Sequence, residues 1–400
     1  MNPLDTLPLK AAAESLDLLE SVRVLDLTTS VAGPYAGQLL ADMGAAVVKI
    51  ERPHTGDDAR AWGPPFLDGD SLWFLAVNRN KFSLAVDYTS EEGCAVLHRL
   101  VAVADVVLVN QVERVQKKLG IDHASLSELR AGLIHVSVTG FGLSGARRNL
   151  PCYDLIAEGY SSVMDLTGEP DTPPQKVGTP AADLLAGQDA AMAVAAALVR
   201  RSRTGQGCMI DVALVDTMTR FMAPRILPYL GSGELPKRSG GRDSVIAIYQ
   251  AFETADECIT LGLGNDRIWT RFWAAVGEPG AGADERFASN AARRQHRPEL
   301  VERIQVILRQ RPREQWLALF AQAGVPAGPI YRVDEVARDR LLQERGLFYR
   351  VQTQSGAYIP QVGLGIRFDG RSEACVRTPP RLGGDSDALL RDWLGAETVK

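Results

Sequence analysis

The sequence predicts an α/β protein: a doubly wound large domain built on a parallel sheet, followed by a smaller α+β domain. Three observations carry that prediction. Through the first half, short aliphatic and β-branched runs alternate with helix-length stretches, and three of the runs empty into Thr28, Asn110 or Thr139-Gly140. Beyond residue 230 the pattern changes to two strand-like runs close together, followed by a Trp-bearing helix. At 400 residues the chain also exceeds what one hydrophobic core normally fills.

Residues 22–27 (VRVLDL) read as a buried strand. The small-residue loop 28–33 (TTSVAG) follows, and Pro34 suits the first turn of a helix that runs through Met43 and stops at Gly44. Residues 45–50 form the next strand, making a βαβ unit with a right-handed connection and parallel strands. The loop lies where a dinucleotide turn would lie but lacks GxGxxG, so it does not support NAD binding. Further strands are read at 82–86, 105–109 and 133–138. Helices are read at 90–103, whose Glu91 and Glu92 suit the macrodipole, and from Arg114 to Leu119. Such a Rossmann-like sheet binds ligands outside the carboxyl ends of its strands. That places Thr29, Ser30, Val31, Ala32, Glu51, Arg52, Asn110 and the turn 139–142 at the crevice, though an ordinary strand-to-helix turn accounts for any one of them singly.

Apolar residues at helical spacing extend from Tyr153 to Leu166, and a Gly/Pro turn at 168–174 leads into KVGTPAADLLAGQDAAMAVAAA (176–197). Asp183 sits where this alanine-rich helix begins. Unpaired N–H groups and the positive end of the macrodipole gather there, so its carboxylate is expected to stay ionised at neutral pH and to be available as a nucleophile. The alternative is a helix cap. A basic hairpin-like turn at 200–207 (RRSRTGQG), a strand at 208–212 and a helix from Leu214 follow. Strands at 246–252 and 258–263 form a hairpin-like element, and Asn265-Asp266 opens the Trp-bearing helix. Residues 281–298 read as a polar loop, 299–309 and 313–323 as helices, and 324–329 (GVPAGP) as a rigid turn. The expected layout is a large domain over 1–225, a small one over 226–330, and a segment 331–400 returning to the first. Residues 1–20 read as a loosely attached helical or disordered leader.

With 46% hydrophobic and 23% charged residues, the composition is that of a soluble globular protein, and a net charge of −5 argues against nucleic acid as partner. Five scattered cysteines without CxxC imply free thiols in a reducing compartment, and residues 1–20 lack a signal-peptide pattern. A cytoplasmic location is expected. The apolar run 190–199 is too short to span a membrane and is assigned to a buried helix. His54, His98, His123 and His135 share no spacing, and no metal set is read.

The ordered segments carry a resemblance over nearly the whole chain. They are VLDLTTSVAGPYAGQLLADMGAAVVKIERP (24–53), NRNKFSLAVD (78–87), ADVVLVN (104–110), VTGFG (138–142), YDLIAEGYSSVMDLTGEPDTPPQKVGTPAADLLAG (153–187), RSRTGQG (201–207), GNDRIW (264–269), AGVPAGPI (323–330) and TPPRLGGDSDALLRDWLG (378–395). Together they resemble family III CoA-transferases, a family that includes formyl-CoA:oxalate and carnitine CoA-transferases and α-methylacyl-CoA racemase. The resemblance implies an interlocked homodimer, an acyl-CoA co-substrate and a small carboxylic acid partner, with no metal and no membrane. It puts the family's nucleophilic aspartate on Asp183. The adenosine end of coenzyme A would lie along Thr29, Ser30, Val31, Ala32 and Val86, with Arg52 and Lys118 near its phosphates. Asn110, Leu119 and Tyr153 would line the pantetheine arm. The mobile glycine loop would fall at Gly240 and Gly241, where backbone N–H groups could meet an oxyanion.

The chain departs from the family pattern on the side of the acid. Tyr153 replaces the His that precedes Asp in the racemase branch, removing one of two bases. Glu158 stands for a common Gln, Ala146 for Pro and Pro151 for a Lys used on the CoA arm. Gly240-Gly241-Arg242-Asp243-Ser244 stands for Gly-Asn-Arg-His-Pro. CoA transfer through an aspartyl anhydride and an aspartyl-CoA thioester on Asp183 is the expected chemistry. A racemase of the same family and a non-catalytic CoA-binding protein are the alternatives.

Overall fold

A computed structural model describes residues 2–10, 16–372 and 376–395; Cys375 lies outside them. The chain divides into two compact units, one from residues 1–164, 176–232 and 337–400, the other from 165–175 and 233–336.

The first unit is mixed α/β around a six-stranded, wholly parallel sheet. Its strands are β1 (Arg23–Asp26), β2 (Ala46–Glu51), β3 (Lys81–Ala85), β4 (Val106–Val109), β5 (Ile134–Thr139) and β6 (Cys208–Ala213). They lie in the order β3-β2-β1-β4-β5-β6. The order reverses between β1 and β4, which makes the carboxyl ends of those strands the place for a ligand crevice. Side chains alternate across the sheet. Leu25, Val48, Leu84 and Val107 point to one face and pack with Leu97 and Leu100 of α2 (Glu91–Val103), Leu126 of helix His123–Leu129, and Leu389 of helix Ser386–Leu394. The other face carries α1 (Ala32–Asp42), which packs on the long helix Ala181–Thr204. The close approach depends on Gly187: a Cβ there would stand 2.5 Å from the Ala32 carbonyl oxygen.

Three readings of this unit change. The helix beginning at Ala181 is 24 residues long and includes 200–204, so RRSRT is its last turn and not a hairpin. Arginine forms helix well and suits the negative end of the dipole, and Gly205, at φ +70°, supplies the left-handed stop. By length and composition that helix could cross a membrane, where the apolar run alone looked too short; it packs against α1, β5 and β6. The apolar stretch from Tyr153 is two short helices, Asp154–Tyr160 and Val163–Leu166, separated at Ser162 with φ +70°. Finally, the leader read at 1–20 is tied down where it is described; residue 1 and residues 11–15 lie outside the described residues. Lys10 N donates to the Arg350 carbonyl (3.0 Å), Arg350 N donates to the Pro8 carbonyl (2.9 Å), and Leu16 is buried.

The second unit holds an antiparallel sheet of β7 (Tyr249–Phe252), β8 (Ile259–Gly262) and β9 (Ala327–Pro329), with β8 central. A core of Trp269, Phe272, Trp273, Phe287, Trp316 and Phe320 packs beneath it. The segment read as a rigid turn therefore contributes a strand, because Ala327 and Gly328 pair with Leu261 and Thr260 at the sheet edge, where Pro329 is tolerated. The segment read as a polar loop is largely short helices, and Arg293 is buried in an ion pair with Asp266 at 2.8 Å.

Candidate active site

The chain leaves β1 at Asp26 and turns through residues 27–31 into α1, whose N-cap is Val31. Ser30 adopts φ +73°, a conformation that a side-chain-bearing residue holds only when its surroundings impose it. Two sets of bonds impose it. Asn110, just past β4, accepts from Thr29 N (3.2 Å) and donates to the Thr29 carbonyl (2.9 Å). From beneath, Asp57 Oδ1 accepts from Ser30 N (3.0 Å), and the same carboxylate pairs with Lys49 Nζ at 2.8 Å. Lys49 in turn donates to the Thr28 carbonyl (2.9 Å), and both members of the pair are fully buried. A second buried pair, Lys81 with Asp26 at 2.9 Å, lies under the start of α1, where Lys81 Nζ also donates to the Pro34 carbonyl. Burial pushes the Lys81 ammonium down to about 8, against the pull of Asp26.

Above this base lies a cavity of about 200 Å³, lined by Thr28, Thr29, Arg52, Asp58, Tyr88 and Gln111 among others. It sits at the carboxyl ends of β1, β2 and β4, on the strand-order reversal. Thr29 and Arg52 therefore come together as the sequence reading placed them. The exposed Arg52 guanidinium bonds Asp58 and, through Nε, the Gly56 carbonyl at 3.3 Å. Val31, the N-cap, and Ala32, the first residue of α1, are buried, and Val86 continues the edge strand, its N–H donating to the Glu51 carbonyl. Lys118 is exposed and Leu119 half-buried on helix Glu113–Leu119, outside the cavity lining.

Asp183 is the third residue of its helix, and the N-cap, Pro180, offers no side-chain acceptor. Asp154 fills that role from the start of a different helix: its Oδ1 accepts from Ala182 N (2.8 Å) and Asp183 N (3.3 Å). Asp183 is thus not the cap. Its own carboxylate has no hydrogen-bond partner among the described residues. Burial and then the negative charge of Asp154 push it up to about 7, so the expectation that the helix start keeps it fully ionised at neutral pH does not hold. Adjacent Cys152 is pushed up to about 11, by burial first and then by Asp183. Tyr153 projects outward, 68% exposed. Glu158 is wholly buried, with Oε2 accepting from Val177 N at 2.9 Å, and burial followed by Asp154 raises it. A desolvated carboxylate that titrates near neutrality is a stronger nucleophile than a solvated one and is still available as the anion.

Gly240 and Gly241 belong to the second unit. Gly240 lies at φ +62°, and its N–H donates to the Gly168 carbonyl at 2.9 Å, so that donor is already engaged. A Cβ at Gly240 would collide with the Glu169 carboxylate, whereas Gly241 has open space around its Cα. Sequence reasoning missed Asp154, Lys49 and Asp57. A lysine inside a strand and an aspartate opening a separate helix carry no local mark of their partners.

A family model described as CoA-transferase family III matches residues 19–386. The chain belongs to that family. This member of CoA-transferase family III is 39% identical over 380 residues to a succinate–glutarate CoA-transferase of Agrobacterium fabrum, covering 94% of this chain and 95% of the relative. It is 33% identical to a mouse succinyl-CoA:glutarate CoA-transferase, with 95% and 87% covered. To a succinyl-CoA–D-citramalate CoA-transferase of Chloroflexus aurantiacus it is 34% identical, with 94% of each covered. Among solved structures, a CAIB/BAIF family protein from Brucella suis superposes with a TM-score of 0.82 at 38% identity, covering 94% of this chain and 99% of that one. This family III enzyme is accordingly a CoA-transferase, whose relatives act on various acids.

Proposed function

We propose that this enzyme moves coenzyme A from succinyl-CoA to a small dicarboxylic acid of the glutarate type, with Asp183 as covalent carrier. The carrying observation is the Asp183 carboxylate itself: partly buried at a helix start, with no hydrogen-bond partner among the described residues, and pushed up to about 7 by burial and by Asp154. Asp183 attacks the thioester carbonyl, forming a mixed anhydride and expelling the CoA thiolate. The thiolate attacks the aspartyl carbonyl, releasing succinate and leaving an aspartyl-CoA thioester. The acceptor carboxylate then displaces the thiolate to form a second anhydride, and thiolate attack on its acyl carbonyl frees the new acyl-CoA and Asp183. The dicarboxylate choice rests on the activities named for the relatives.

In this reading the nucleotide end of coenzyme A enters the cavity at the Rossmann-like switch point, with Arg52 at its rim, and Asn110 and Tyr153 flank the pantetheine arm. The enzyme works as a cytoplasmic homodimer. Helix Ala223–Ser232 has no buried residue and exposes Leu227, Tyr229 and Leu230, an apolar surface suited to a second copy. The test is to incubate the protein with succinyl-CoA, trap with hydroxylamine and map the adduct by mass spectrometry. A hydroxamate at Asp183 is expected. Turnover without modification there refutes the mechanism, and α-proton exchange without acyl transfer points to a racemase.

A further inference from the structure

Glu158 is a carboxyl group placed where a charge is poorly supported. The side chain is fully buried, and Oε2 takes a single hydrogen bond, from Val177 N at 2.9 Å. Oε1 is buried and has no hydrogen-bond partner among the described residues. One helical turn earlier on the same face stands Asp154, already bound through Oδ1 to Ala182 N and Asp183 N. The other charged group near Glu158 is Lys176, on the turn before the long helix; its side chain is exposed and bonded to the Val177 carbonyl. Of the helices packed on Asp154–Tyr160, the long one carries Asp183 and Asp189, and Leu214–Phe221 carries Asp216 and Arg220. Asp189 is held by Thr217 and Arg220. A buried carboxylate with one N–H donor and a neighbouring anion is unfavourable, whereas a carboxylic acid there has a use for both oxygens.

We propose that Glu158 stays a neutral acid during turnover, its Oε1 proton donated to the free oxygen of Asp154 while Oε2 holds Val177. Glu158 is then a positioning residue. It braces Asp154 against the helix start and anchors the turn 176–180 that delivers Asp183, rather than recognising the acceptor acid. Only one negative charge, that of Asp154, then bears on Asp183.

This inference rests on the role proposed for Asp183, and its test separates the two. Wild type, Glu158→Gln and Glu158→Ala are labelled at Asp183 by succinyl-CoA and hydroxylamine across a pH series. Glutamine reproduces the shape and donor of the neutral acid, so Glu158→Gln is expected to label within about twofold of wild type and with the same pH midpoint. Glu158→Ala loses the brace and is expected to label about tenfold more slowly. A midpoint that moves to lower pH in Glu158→Gln would mean that a negative charge had been removed, and overturns the proposal. So does Glu158→Ala labelling at the wild-type rate. Independently of activity, wild-type protein labelled with 13C at its glutamate carboxyls should show an isotope-shifted acid C=O band at neutral pH that Glu158→Gln abolishes; absence of the band refutes the neutral acid. A wild type that never labels defeats the function proposed above, and the infrared measurement then decides this point alone.

Discussion

Replacing Asp183 by Asn should stabilise the protein at and above neutral pH. The carboxyl moves from an ordinary value of 3.8 to about 7 on folding. The folded chain therefore holds this proton more tightly than the unfolded one. Between those limits the unfolded state ionises first, so stability falls as pH rises, and the loss is complete above about 7. At about 1.4 kcal/mol per pH unit, the ceiling is about 4 kcal/mol. Asp183 keeps some solvent contact, so about half of that is a realistic figure. Asparagine removes the charge with almost no change of shape, and no side-chain hydrogen bond is lost with it. Urea unfolding of both chains from pH 4 to pH 8 is the assay. The variant should gain about 2 kcal/mol at pH 8, and the gain should shrink toward zero near pH 4. No gain at pH 8, or an equal gain at both ends, refutes the assignment of burial and Asp154 as the causes.

Two further perturbations probe the neighbours of Asp183. Asp154→Asn keeps an oxygen for the N–H groups of Ala182 and Asp183 but removes the charge. Burial is the larger cause of the Asp183 rise, so the pH midpoint of Asp183 labelling should fall by less than about 1.5 units; an unmoved midpoint rules out the coupling. Gly187→Ala adds a methyl 2.5 Å from the Ala32 carbonyl, and prying the two helices apart should lower urea stability by about 1–3 kcal/mol. Unchanged stability would show that the contact yields freely.

The parallel sheet was legible because its strands are short apolar runs that give way to polar or small loop residues, as at β4, which ends before Asn110, and β5, which ends before Gly140; there local composition and tertiary burial agree. Asp183 was legible as a position but not as a charge state. The helix-start argument is local, whereas the burial and Asp154 that decide its ionisation come from chain 29 residues upstream and from packing. Lys49 read as an ordinary strand position and Lys81 fell just outside the strand read at 82–86, although both are wholly buried in ion pairs. The strand Ala327–Pro329 was hidden because Gly and Pro argue for a turn, and only a partner strand at the sheet edge overrides them.

The clamp formed by Lys49, Asp57 and the backbone of Thr28 and Ser30 has a consequence for selectivity. A turn held this way loses its conformational entropy once, when the chain folds, and not at each encounter with a ligand. On the binding mode proposed above, donor and product thioesters bring the same nucleotide to this turn, and a rigid cradle there receives both alike. Discrimination is thereby left to the other end of the molecule, where the acid portion differs. A scaffold divided in this way can change the acid it accepts without rebuilding the half that grips the carrier.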